Sequence, residues 1–320
     1  MKVSDIKKVA CVGGGVIGSS WAIQYAMRGL SVALYDINDE QLLKSRGQME
    51  KSLDALVGHD AITQTQKAEI VARVHPTTSM EEAVSDAQFI QESGPERLEI
   101  KRSILAQVEQ YAASDALYAS STSGLLISEI VAEAAHPERC VGAHPYNPPH
   151  LIPLVEITRG EKSSDEVVKT VYDFYQSIGK EAVLLRKECP GFIANRLQLA
   201  LYREVQDLVM RGVCSVEDVD KALVYGPGIR WAIFGHNMIM QMGNPGGLTG
   251  MVKMLGNSGD VWLADMASWT HQPDNWSEVA QPGVDEEMKH FPDHIGHTNE
   301  ACAAYRDRML IEILKLHKKL

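Results

Sequence analysis

Short apolar runs alternate with longer amphipathic stretches over roughly the first 187 residues, and then the alternation stops. Residues 8–12 (KVACV) form a continuous apolar run ending in glycines, the pattern of a buried strand. Residues 16–30 (VIGSSWAIQYAMRGL) predict a helix with Gly29 as its stop, and 31–35 (SVALY) a second strand ending at Asp36. Strand, helix and strand in that order make a βαβ unit, which implies parallel strands and a right-handed crossover. Residues 39–74 are polar and helix-forming and predict a helical hairpin. A short helix over 81–86 and a strand over 87–91 (AQFIQ) follow, and 96–111 repeat charged and apolar groups at helical spacing. Strand 116–120, helix 127–135, strands 139–143 and 151–157, helix 164–178 and strand 181–185 complete this half.

The pattern changes at Cys189-Pro190-Gly191. Beyond it there is almost no strand signal. One long helix is expected over 191–211, stopped at Gly212, and Ser215 with Asp218 has the capping-box spacing of a helix start. A Gly- and Met-rich stretch (226–260), a Pro-, Asp- and His-rich stretch (270–297) and a closing helix from about 299 follow. The division expected is an α/β domain over 1–188 and an all-α domain over 189–320.

Gly13-Gly14-Gly15-Val16-Ile17-Gly18 fits G-x-G-x-x-G in the context that gives the pattern meaning: it follows a strand, opens a helix and precedes an acidic residue at the next strand's end. Gly13 permits the tight turn, Gly15 lets the backbone approach a pyrophosphate at the helix N-terminus, and Gly18 allows close helix–strand packing. Val16 and Ile17 open that helix. Asp36 lies where a carboxylate would accept from both adenosine ribose hydroxyls and repel a 2′-phosphate, and Ile37 and Asn38 supply no cation, so NAD is favoured over NADP. The first domain is therefore expected to be an NAD-binding Rossmann domain.

His144 follows a predicted strand, and twelve residues on Glu156 sits inside the apolar run LIPLVEI. A carboxylate there is costly unless paired, and His144 is its natural partner. Such a pair fixes the imidazole tautomer and makes a general base able to take a hydroxyl proton while hydride leaves the same carbon. Taken alone, His144 reads more often as structural; the buried carboxylate of Glu156 beside it reverses that reading. Ser120-Ser121-Thr122-Ser123-Gly124 lies at another strand end, where its hydroxyls face the same crevice or simply cap a helix. Asn195 on the long helix is placed to reach across an interdomain cleft, or else faces solvent. Arg230 and Trp231 lie in a Gly-Pro-Gly loop. They are candidates for pairing a substrate carboxylate and for lining its pocket, with cation–π capacity at the Trp, or are structural. His290, His294, His297 and Asp293 come close to a helical stripe, but Pro292 and Gly296 interrupt it, and no metal is expected.

Composition narrows the classes. With 31 Lys and Arg against 42 Asp and Glu, the net charge of −11 makes a poor nucleic-acid binder. No apolar run approaches the ~20 residues of a membrane span. The N-terminal MKVSDIKKVACVGGG has no apolar signal core, and the five Cys (11, 140, 189, 214, 302) are scattered as reduced thiols usually are, so a cytoplasmic location is expected.

The segments VACVGGGVIGSSWA, QESGPERLEIK, SSTSGLLISEI, HPERCVGAHPYNPPHLIPLVEI and CPGFIANRL, which span most of residues 8–212, resemble the 3-hydroxyacyl-CoA dehydrogenase superfamily in order and spacing. The resemblance implies a Rossmann domain followed by a helical domain that forms homodimers. It implies that His144 is the catalytic base and Glu156 its partner, and that Ser123 and Asn195 hold the reacting oxygen. Asn147 would lie near the nicotinamide; Gly13, Gly15, Gly18 and Asp36 would bind NAD, with Glu96 and Lys101 flanking the nicotinamide side. Spacing alone identifies neither Glu96 nor Lys101, which read as well as a solvated, charged helix end. HPERCVGAHPYNPPHLIPLVEI and GPGIRWAIFG are similar to the branch containing carnitine 3-dehydrogenase, L-gulonate 3-dehydrogenase and lambda-crystallin, which implies a 3-hydroxyl on a small free acid. His236-Asn237 and MIMQMGNPGGLTGM depart from the pattern. Two alternatives stand beside this reading: a short-chain 3-hydroxyacyl-CoA dehydrogenase, for which Lys44, Arg46, Lys51, Lys67 and Arg73 would offer cations, and a crystallin-like NAD-binding protein without turnover.

Overall fold

A computed structural model describes residues Met1–Leu320. The chain divides into two compact units, Met1–Asn195 with Arg308–Leu320, and Arg196–Asp307. The return of the chain's end to the first unit has a simple cause: Ile311 and Leu314 are buried in its core.

The first unit is built on one eight-stranded sheet. Its strands are β1 (Lys8–Val12), β2 (Ser31–Tyr35), β3 (Val74–Thr77), β4 (Phe89–Glu92), β5 (Leu117–Ser120), β6 (Cys140–Pro145), β7 (Leu154–Arg159) and β8 (Glu181–Leu185). Their order is β3-β2-β1-β4-β5-β6-β7-β8. β1 to β6 are mutually parallel; β7 runs antiparallel to β6, and β8 is parallel to β7. The chain leaves β1 first toward β2 and later toward β4, so the order reverses beside β1, which is where open α/β sheets bind ligands.

The helices of this unit are α1 (Val16–Met27), α2 (Asp39–Gly58), α3 (Gln64–Ala72), α4 (Met80–Val84), α5 (Leu98–Tyr111), α6 (Ile127–Ile130) and α7 (Asp165–Ser177). Several begin where a side chain satisfies a free backbone N–H: Asn38 for α2, Thr63 in a reciprocal box with Gln66 for α3, Ser79 for α4 and Ser164 for α7. α1 is buried along most of its length, and its Trp21 and Tyr25 stack with Phe89, Phe174 and Tyr175 in one aromatic cluster. The hydroxyls of Tyr25 and Tyr175 both donate to Gln91 Oε1 (2.7 and 2.5 Å), so the polar tips inside this cluster are satisfied.

Residues 189–195 and 308–320, expected in the helical domain, group with the first unit. Within that unit's sheet and connections, three elements also differ from the sequence reading. β3 falls on VHPT, four residues without an apolar run; it lies at the sheet's edge and pairs only with β2, where Pro76 is tolerated. The helix expected over 127–135 ends at Ile130, and the N–H groups of Ala135 and His136 turn to the Glu109 carboxylate (2.9 Å each). The strand expected from 151 starts at Leu154, because Leu151 and Ile152 fold back onto the Pro148 carbonyl (3.0 and 2.9 Å).

The remaining helices are α8 (Ala194–Met210), α9 (Val216–Leu223), α10 (Ile229–Trp231), α11 (His236–Met242), α12 (Gly247–Asp265), α13 (Trp276–His290) and α14 (Asn299–Leu316), with a π-turn over Val224–Gly228. The second unit contains no strand. Ser215 caps α9, its hydroxyl accepting from Asp218 N (3.1 Å). α9 packs on α13, where Asp220 meets Glu287 and Glu217 meets His290 (2.9 Å).

Candidate active site

The parallel strands β1, β4, β5 and β6 deliver Val12, Glu92, Ser120 and His144 to one edge of the sheet, because each lies at or next to its strand's C-terminal end. The glycine loop follows β1. Gly13 has φ +102°, and a Cβ there would meet Ser93 O at 2.8 Å; a Cβ on Gly18 would strike the Gly13 carbonyl. Gly15 is different, since nothing lies within 4 Å of where its Cβ would be. That open space sits over the N-terminus of α1, with Val16 exposed and Ile17 partly so. Asp36 is already oriented: its Oδ2 accepts from Gly14 N and its Oδ1 from Ile37 N (2.7 Å each). Two glycines that backbone contact demands, one that leaves a cradle at a helix start, and a fixed carboxylate after β2 fit a dinucleotide with a free 2′-hydroxyl.

His144 and Glu156 are direct cross-strand partners in the antiparallel register of β6 and β7, which puts their side chains on one face. This register is the physical content of their twelve-residue separation. His144 Nδ1 meets Glu156 Oε2 at 2.7 Å. The other carboxylate oxygen accepts from Ile193 N (2.8 Å) and Ala194 N (2.9 Å) at the start of α8, a favourable place for an anion. Burial pushes the Glu156 carboxyl up, but the bond from His144 and these two N–H groups outweigh it and hold the group below its usual range. Phe192, buried and at φ 49°, packs its ring 5.5 Å from the imidazole.

A second polar network lies beside this pair. Glu96 Oε1 gathers the loop after β5, accepting from Ser123 N (2.7 Å), Thr122 Oγ1 (2.8 Å), Gly124 N (2.9 Å) and Ser123 Oγ (3.2 Å). Burial raises the Glu96 carboxyl, and these donors together with the Lys101 cation bring it below its usual value. Lys101 is not a solvated helix end: it is 1% exposed, with Nζ on Glu92 (2.9 and 3.1 Å) and 3.5 Å from Glu96 Oε2. Asn195 Nδ2 donates to Ser123 O (3.3 Å), and both residues belong to the first unit. Asn147 stands exposed on the β6–β7 turn three residues after His144.

Glu92 escaped the sequence reading. It is fully buried at the end of β4 and holds Lys101, Ser120 and Gly94 N. The signal that exposed Glu156, a carboxylate inside an apolar strand, was present here too in AQFIQE. Arg230 and Trp231 form α10 in the second unit, where Trp231 Nε1 donates to His236 Nδ1 at 3.3 Å. His290, His294 and His297 do not converge; His290 pairs with Glu217 and His297 with the Met288 carbonyl. No group of three or more His, Cys, Asp or Glu residues is arranged to hold a metal ion.

A doubly wound sheet, a nucleotide cradle at its switch point and a polar site at the same strand ends define a nicotinamide-dependent dehydrogenase. Residues 8–189 match the NAD binding domain of 3-hydroxyacyl-CoA dehydrogenase and 191–274 match its C-terminal domain, so the chain belongs to the 3-hydroxyacyl-CoA dehydrogenase family, with NAD as its cofactor. An L-carnitine dehydrogenase of Streptomyces coelicolor is 35% identical over 99% of this chain and 96% of that protein. An L-carnitine dehydrogenase of Pseudomonas aeruginosa is 37% identical over 98% and 94%. A 3-hydroxyacyl-CoA dehydrogenase of Gibberella moniliformis is 36% identical over 99% and 96%. Among solved structures, 5-formyl-3-hydroxy-2-methylpyridine 4-carboxylic acid 5-dehydrogenase, an NAD+-dependent dismutase, superposes with a TM-score of 0.80 at 27% identity over 98% of both chains. The 3-hydroxybutyryl-CoA dehydrogenase of Escherichia coli K12 gives 0.65 at 32% identity over 70% of this chain and 47% of that one.

Proposed function

We propose that the protein oxidises the 3-hydroxyl of a small free 3-hydroxy acid, of the carnitine or gulonate kind, to the 3-oxo acid. The observation that carries the chemistry is the His144–Glu156 pair, 2.7 Å apart, with the carboxylate fixed by two N–H groups of the following helix. The ionised Glu156 keeps the His144 proton on Nδ1, so Nε2 is the nitrogen that takes the substrate's hydroxyl proton. NAD supplies the hydride acceptor. Ser123 and Asn195 hold the reacting oxygen; the Glu96 carboxylate fixes the Ser123 loop, and Asn195 grips the Ser123 carbonyl. Gly13, Gly15, Val16, Ile17, Gly18 and Asp36 bind the dinucleotide. Asn147 serves its nicotinamide end, with Glu96 and Lys101 behind it.

The free-acid reading draws support from the names of the Streptomyces and Pseudomonas relatives, matched over nearly the whole chain. In this reading Arg230 pairs the substrate carboxylate and Trp231 lines the pocket, with ~0.5–2 kcal/mol available to a quaternary ammonium. Arg230→Ala should raise KM for the true substrate, and an unchanged KM removes it from the site. The Gibberella relative favours a second reading, a short-chain 3-hydroxyacyl-CoA ester. Turnover assays with L-carnitine, L-gulonate, L-3-hydroxybutyrate and 3-hydroxybutyryl-CoA separate the two: preference for a free acid supports the first, and preference for the thioester overturns it.

We also infer a homodimer formed through the second unit, in a reducing, cytoplasmic setting. Large apolar side chains stand exposed there, among them Tyr225 (73%), Leu263 (70%), Val261 (65%) and Trp262 (60%), and all five thiols are free. Light scattering on the purified chain tests the dimer, and a monomeric mass at micromolar concentration refutes it.

A further inference from the structure

Lys180, just ahead of β8, is 2% exposed, and its partners are carbonyls and a ring rather than a carboxylate. Its Nζ donates to Pro149 O (2.8 Å) and Ile152 O (2.6 Å) and lies 5.1 Å from the centre of the Trp21 ring. Three N–H bonds suit this arrangement: two reach the carbonyls and the third faces the electron-rich ring. A buried cation without a counter-ion is costly, so the fold gains something specific by keeping it. Burial, reinforced by the nearby Arg28 cation, pushes the Lys180 ammonium down to about 7, a measure of that cost.

Both carbonyls belong to the turn that joins the strand of His144 to the strand of Glu156. The same turn is tied to α1 a second time. His150 N donates to Ser20 Oγ (2.9 Å), and the Ser20 hydroxyl bonds His150 Nδ1 (2.7 Å). Ser20 and Trp21 are neighbours on α1, the helix that the glycine loop opens. The turn also carries Asn147, two residues before Pro149.

We propose that Lys180 is a positioning residue that locks the β6–β7 turn onto α1, so that Asn147 and His144 are held in fixed relation to the dinucleotide cradle. The consequence for turnover rests on the site reading above; the lock itself does not.

The test is amide hydrogen exchange by mass spectrometry on the full chain, wild type against Lys180→Met, which fills the same space without donors. Exchange over residues 146–153 should accelerate about tenfold or more, while β1 and β4 keep wild-type rates. With whichever substrate the panel identifies, kcat should fall about tenfold with KM for NAD changed less than about threefold. Lys180→Arg, which returns a cation with donors, should recover part of both. Wild-type exchange in the turn of Lys180→Met overturns the proposal. So does equal loss of protection across the whole sheet, or failure of both variants to fold, since either assigns Lys180 to the core at large. If no substrate is found, the exchange data still decide the lock.

Discussion

Glu156→Gln isolates the charge of the carboxylate from its shape. Glu156 uses one oxygen for His144 Nδ1 and the other for Ile193 N and Ala194 N. A glutamine has one acceptor oxygen and one NH2 group. If the oxygen stays on the two backbone N–H groups, the NH2 faces Nδ1, which must then accept. The imidazole proton moves to Nε2, and the base is lost. The opposite amide orientation sets NH2 against two N–H donors and forfeits both bonds, so the first is preferred. Its structural cost is moderate: three charge-assisted bonds of ~1.5–3 kcal/mol become neutral ones of ~0.5–1.5, a loss of about 1 kcal/mol each, offset in part because a neutral amide costs less to bury than a carboxylate. Its kinetic cost is larger, because the wrong tautomer removes a general base; kcat is expected to fall by about 10²–10⁴. NADH formation at saturating NAD and substrate measures this, with thermal unfolding and NADH binding run beside it. A kcat within about threefold of wild type, in a folded variant that binds NADH, would refute the assignment of the pair.

Gly18→Ala should abolish NAD binding, because its Cβ would strike the Gly13 carbonyl and displace the loop; isothermal titration with NADH checks it. Asp36→Ser should weaken NAD binding and narrow the preference over NADP, since a carboxylate held by Gly14 N and Ile37 N is what repels a 2′-phosphate; the ratio of kcat/KM for the two cofactors reads it. Glu287 is pushed from 4.5 up to about 7 by burial and by the charges of Asp220 and Glu217. Its folded pKa is raised, so its contribution to stability is present below the unfolded value and is lost as pH rises through about 7. Glu287→Gln should therefore raise Tm more at about pH 8 than at about pH 5, and equal changes at both would contradict the sign.

The parallel core of the sheet was legible because its strands are apolar runs closed by turn residues. β3 was not, because an edge strand exposed on its faces needs no such run, and VHPT owes its place to pairing with β2. The glycine loop was legible through its context of strand, helix and acidic residue, and the contacts of Gly13 and Gly18 explain why those positions tolerate no side chain. The link between His144 and Glu156 could be argued from the cost of a buried carboxylate, yet the register that makes them opposite partners is a property of the β6–β7 pairing. Glu96 and Lys101 came only from resemblance. Their contacts run through Glu92 and through backbone N–H groups of the loop after β5, which no local pattern announces. No motif or spacing singles out Lys180; the fold shows it closed over by Trp21 and two carbonyls.

The central claim is that His144 takes the hydroxyl proton as hydride leaves the same carbon. Stopped-flow measurement of NADH formation tests it most directly, comparing wild type with His144→Asn at saturating NAD and the acid that the panel identifies. The account predicts that the first turnover slows by about 10²–10⁴ while NADH binding is retained. A first-turnover rate within about threefold of wild type would contradict it.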